Sequence, residues 1–174
     1  MNKQELKQEL EKSHQEFILT IRAFPENEAG ISINGKWSPV QQLDHIVKSV
    51  SPVRMAFSLP AFLLRIIFGS ANRPSRTYDA LVEKYKAKLA AGGVATGRFV
   101  PKKNTPSVKT LSDNLRKLIA SLSSHIDLYS EEQLDTLILP HPLLGKLTLR
   151  EMLYFTIYHV QHHHRQVAAQ HPRN

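Results

Sequence analysis

The chain has 174 residues, nine His, no Cys and a formal charge of +8. That length suits one domain able to bury its own core. The absence of Cys excludes disulfides, thiolate zinc sites, iron–sulfur clusters and a cysteine nucleophile, and it fits a reduced, cytoplasmic compartment.

The N-terminus, MNKQELKQELEK, is charged and has no apolar h-region. Leu6, Leu10, Phe17 and Ile21 recur at helical spacing and predict a first amphipathic helix over 3–23, ended by Pro25 and Gly30. Ser38-Pro39 reads as an N-cap with proline at the first helical position. It opens a second helix that runs to about Phe57, and Pro60 either kinks it or starts another piece. The apolar stretch 55–69 is broken by Pro60 and Arg65. It is shorter than the roughly 20 residues of a membrane span, so it is read as buried or partner-facing. Residues 69–77 read as a loop, and 78–91 as a short charged helix closed by Gly92-Gly93. Residues 92–107, rich in Gly, Pro and basic side chains, are expected to pass over the surface.

A third long helix carries Leu111, Leu115, Leu118, Leu122 and Ile126 on one face. After Tyr129, the stretch EEQLDTLILPHPLLGK reads as a connection. Thr148, with Glu151 three residues on, forms a capping box for a last helix that reaches about Ala169. The expected fold is all-α, a four-helix bundle with extra short helices. The densest basic cluster, Arg98, Lys102, Lys103 and Lys109, accompanies no helix-turn-helix, zinc-finger or RNA-binding signature. It is read as a solvated surface, with no nucleic-acid partner expected.

Five of the nine His lie in the last 16 residues: His159, His162, His163, His164 and His171. On a helical projection Leu149, Met152, Leu153, Thr156, Val160 and Val167 share one face. Arg150, Tyr154, Gln161 and Arg165 lie opposite. His159 and His163 flank the apolar face one turn apart, a spacing that aims two imidazoles at one ion. His159 with His162 is the rival pair. A third ligand should come from another helix, and His45 is the best candidate. Yet His45 points well away from the apolar face formed by Leu43, Ile46, Val47 and Val50. Either the second helix is buried on more than one side, or His45 is a surface residue.

The other residues singled out have plainer roles. His14 and His125 read as hydrogen-bonded core residues ahead of pocket-lining ones, and His141 as a turn or capping residue. His164 is read as packed or solvated, His171 as part of a frayed tail, and Trp37 as a core anchor. Gln166 faces the same flank as His163 and is a candidate hydrogen-bond partner there.

Trp37-Ser38-Pro39 through His45, together with HPLLGKLTLREMLYFTIYHVQHHHRQV, resembles the DinB-like superfamily, a group that includes YfiT-type thiol transferases. The resemblance runs along nearly the whole chain and implies one DinB-like domain over 1–174. It assigns His45, His159 and His163 to the family's metal triad. It implies a divalent ion, zinc or nickel, with an open coordination position. The implied function is that of a metal-dependent enzyme of thiol S-transferase or hydrolase type acting on a small molecule. In the thiol reading, a low-molecular-weight thiol enters as cosubstrate. The alternative is a non-catalytic, stress-associated scaffold bundle with an empty or vestigial His site. The surplus apolar surface over 57–68 adds the expectation of a homodimer, with no membrane association.

Overall fold

The computed structural model describes residues 1–32, 35–102 and 104–170. Lys103 of the basic cluster and His171 lie outside them. The elements in chain order are α1 (Lys3–Arg22), α2 (Pro39–Phe57), α3 (Ala61–Phe68), α4 (Tyr78–Ala90), a 3-10 turn (Gly97–Phe99), α5 (Val108–Ile126), α6 (Glu131–Thr136), β1 (Ile138–His141), β2 (Gly145–Thr148) and α7 (Leu149–Ala168).

Four long helices close a ring: α2 packs on α5, α5 on α1, α1 on α7 and α7 on α2. The fold is a four-helix bundle. Its core is drawn from one stripe of each amphipathic helix, with Leu6, Leu10, Phe17, Leu43, Leu115, Leu122, Leu153 and Val160 all fully buried. Three of these helices start on capping boxes: Asn2 with Glu5, Ser38 with Gln41, and Thr148 with Glu151.

The stretch read as a connection after Tyr129 is ordered structure. It forms the short helix α6 and an antiparallel hairpin, β1–β2, in register from Ile138↔Thr148 to His141↔Gly145. Strands of four residues are too short to show an alternation, and Pro140 and Pro142 mask them as a loop. Gly145 takes φ +78° at the tight end, a conformation that side chains with a Cβ resist.

The start of α7 also departs from its projection. Leu149 to Ile157 are buried without a break, so Arg150 and Tyr154 do not face water. The reason is tertiary: α6 and the N-terminus cover that side. Arg150 donates to Asp135 (Nε to Oδ1, 2.6 Å), to Glu131 (Nη2 to Oε2, 2.6 Å) and to the Met1 carbonyl (2.8 Å). Glu151, fully buried, accepts from Arg73, Arg76 and the Thr148 amide. Burial alone would raise its carboxyl, but these donors hold it at about 2.

The apolar stretch 55–69 is not wholly buried. Phe57 and Leu64 are inside, whereas Met55, Phe62, Ile66 and Ile67 face solvent. Among the described residues, no single helix is long and apolar enough to cross a membrane.

Candidate metal centre

The two helices that meet as α2 and α7 bring three imidazoles together. His45, His159 and His163 are each nearly fully buried, and one ring nitrogen of each lies within 4.8 Å of the others. His159 Nε2 sits 3.1 Å from His45 Nε2 and 3.2 Å from His163 Nε2. His162 lines the same space, but its Nε2 is taken by Gln166 at 2.8 Å. Gln166 therefore partners His162 and not His163. The question over His45 is settled by packing: α2 is clasped by α5 on one side and α7 on another, so it is buried on more than one face.

The far nitrogens of two of the rings are anchored. His45 Nδ1 lies 2.7 Å from the Phe99 carbonyl. A carbonyl only accepts, so Nδ1 carries the proton and Nε2 presents its lone pair. His163 Nδ1 lies 3.0 Å from Gln42 Oε1. The orientation of that amide is fixed from its other end, because Gln42 Nε2–H donates to the Trp37 carbonyl at 3.2 Å. His163 Nδ1 is thus also protonated, and its Nε2 lone pair is also turned inward. Gln42 and His45 are three apart on α2, which puts both on the face that meets α7.

Burial keeps all three imidazoles neutral, with pKa values below the ordinary histidine value and those of His159 and His163 well below it. For His159 and His163, neighbouring imidazoles lower them further. The His159 Nε2 therefore faces two nitrogen lone pairs, of which a single proton could satisfy only one. A cation satisfies all three. Tetrahedral coordination with bonds of 2.0–2.1 Å separates ligand nitrogens by about 3.3 Å, close to the two spacings observed. The donor set is neutral nitrogen, and the far sides of His45 and His163 are protonated and hydrogen-bonded, the arrangement that supports histidine ligands to divalent metals.

Rings enclose the cluster. Phe155, one turn before His159, stacks on it with centroids 4.9 Å apart and planes at 22°. Trp37 lies 5.0 Å from the His45 ring and 6.4 Å from His163. It is half-buried and forms part of the site wall, so it is not the core anchor expected from its place before α2. The segment 92–107 is likewise more than a surface passage, since its Phe99 carbonyl holds His45 and its Thr96, Arg98 and Phe99 line the site. Gly93 lets this segment lie close to its neighbours: a Cβ there would come within 2.7 Å of the Lys88 carbonyl and 2.8 Å of Leu143.

A cavity of about 970 Å³ opens from the three imidazoles. Its walls are mostly apolar, from Val53, Ala56, Leu59, Leu89, Leu139, Leu143, Met152 and Phe155 among others. Arg98 is its one charged side chain among the described residues, and no carboxylate lines it.

The remaining His have separate roles. His14 bonds the Leu10 carbonyl through Nδ1 at 2.7 Å and lies away from this cavity. His125 is outside the cavity too, and its Nδ1 is buried without a hydrogen-bond partner among the described residues. His164 bonds Thr20 at 2.7 Å. His141 caps the hairpin turn, as expected, but also lines the cavity.

Two participants were missed in the sequence. Gln42 had a usable signal, a polar residue one turn before a candidate ligand on the same face. The Phe99 carbonyl had none, because any residue supplies a carbonyl.

The profile of the DinB superfamily matches residues 9–167. Among solved structures, the chain is similar to YfiT from Bacillus subtilis, described as a probable metal-dependent hydrolase with an unusual four-helix bundle topology. The TM-score is 0.63 at 18% identity, covering 96% of this chain and 84% of that one. No curated protein matches.

Proposed function

The chain belongs to the DinB superfamily, and from that premise we propose that it is a metal-dependent hydrolase. In this reading His45, His159 and His163 hold one divalent ion, zinc or nickel, and leave a coordination position open to the cavity. The observation that supports it is the convergence of three imidazole Nε2 atoms, two of them with their Nδ1–H groups tied to Phe99 and Gln42. The likeness to YfiT, itself described as a probable metal-dependent hydrolase, points the same way.

A divalent ion with three neutral ligands supplies Lewis acidity, which polarises a carbonyl and acidifies a coordinated nucleophile. The chain's own residues do the rest. The Phe99 carbonyl and Gln42 keep two imidazoles in the ligating tautomer. Trp37 and Phe155 shield the rings from water. The apolar walls hold the substrate body.

One observation favours thiol transfer as a second reading. Among the described residues no carboxylate lines the cavity to serve as a base, and a thiol, with pKa about 8.5, needs far less help to ionise than water. With no Cys in the chain, the thiol would be a cosubstrate.

Elemental analysis tests the site. About one equivalent of metal per chain is expected in the native protein, and none in His45→Ala or His163→Ala with helical content kept. Equal metal in all three proteins refutes it. Chelator-sensitive cleavage of 4-nitrophenyl esters, compared with conjugation of a small thiol to an electrophile, separates the two readings.

A further inference from the structure

His141 sits where β1 ends, and its Nδ1 accepts from the backbone amides of Leu143 (3.1 Å) and Leu144 (3.0 Å). Two N–H donors cannot bond a protonated nitrogen, so Nδ1 is bare and the proton of the neutral ring is on Nε2. The turn thus fixes the tautomer, and burial favours the neutral ring. No described residue accepts from Nε2, although the ring lines the cavity. Phe155 lies between this ring and the ligand cluster, 4.2 Å from His141 and 4.9 Å from His159 by centroid. A neutral donor with one assigned proton therefore stands one ring's width from the His159 imidazole. Beyond it the cavity is large and mostly apolar, with Arg98 among its lining and, among the described residues, no carboxylate to attract a cation.

We propose that the cavity binds an acyl compound, an apolar chain ending in a carbonyl or carboxylate head, and that His141 donates a hydrogen bond from Nε2–H to that head. The assignment names a substrate class for the hydrolase reading above and rests on it for catalysis, but binding by the cavity does not require the metal. An acceptor head matches the donor set at the inner end, and an aliphatic tail matches Val53, Ala56 and Leu89. A cationic head of the same size meets no carboxylate among the described residues and faces an N–H donor.

The test is calorimetric titration of the full chain, metal-loaded and metal-free, with decanoate and with decylamine. Decanoate is expected to bind one per chain in both forms, and decylamine at least tenfold more weakly. His141→Asn places an amide oxygen near the position of Nδ1 and so keeps the turn cap, but it has no donor at the Nε2 position. It should weaken decanoate about tenfold with melting temperature and metal content unchanged. His141→Gln places an N–H near Nε2 and gives up the cap, so it should keep most of the affinity and melt lower. Ala56→Trp, which fills the cavity, should weaken decanoate at least tenfold without changing metal content. Decylamine binding as tightly as decanoate, or His141→Asn or Ala56→Trp binding decanoate like the native chain, overturns the proposal. Failure of the metal reading shows separately, in the elemental analysis.

Discussion

Gln42 links the two helices that carry the imidazoles, and Gln42→Met isolates that link. The side chain is 1% exposed. It accepts from His163 Nδ1–H and donates to the Trp37 carbonyl. Methionine has similar length and flexibility, so packing is kept while both bonds are lost. The His163 Nδ1–H is then buried without an acceptor, a cost of about 1–3 kcal/mol. Loss of such an outer partner weakens metal binding about 10–100-fold, or roughly 1.4–2.7 kcal/mol. The two magnitudes agree, which predicts a zinc Kd raised 10–100-fold. Competition against a chromophoric chelator at constant pH measures it, with thermal melting of the metal-free protein as the control for folding. A Kd within twofold of the native chain would refute the claim that Gln42 orients His163.

Glu151 caps α7, the helix that carries two of the candidate ligands, and is fully buried under Arg73 and Arg76. Glu151→Gln keeps the shape but leaves the half-buried guanidinium groups without their charge partner. It should cost about 2–4 kcal/mol, read as a lower midpoint in urea, and an unchanged midpoint contradicts that role. Acidification should weaken the metal-free protein in the same assay. Burial holds His14 and His141 at about 4, against 6.5 in the unfolded chain. Between these values the unfolded state binds more protons, so stability is full above pH 6.5 and falls as pH drops toward 4. The slope is about 1.4 kcal/mol per pH unit per group. Between pH 7 and 5 these two groups alone give a loss of about 2–4 kcal/mol, to which the lowered imidazoles of His45, His159 and His163 add in the same direction, and a midpoint that holds or rises over that range runs against it.

The long helices were legible because each carries its own signals. Ser38-Pro39 and Thr148 with Glu151 mark starts that the structure reproduces, and the Leu111–Ile126 stripe marks a buried face. The hairpin was not legible, since its strands are too short for a period and prolines stand in β1 and in the turn. The polar side assigned to Arg150 and Tyr154 was wrong for a related reason: helical projection says which residues lie together, not what covers them.

The pairing of His159 with His163 is local, since residues one turn apart on a helix are neighbours in any fold. The sequence by itself therefore determined four helices, the starting caps of α2 and α7, and this pair. The position of His45 depends on how α2 lies against α5 and α7, so only tertiary packing turned an imidazole off the apolar stripe into the third member. Packing also placed Gln42 against His163, the Phe99 carbonyl against His45, and His141 on the cavity wall. Contacts between residues tens of positions apart follow from how whole helix faces fit. Spacing along the chain does not encode that fit.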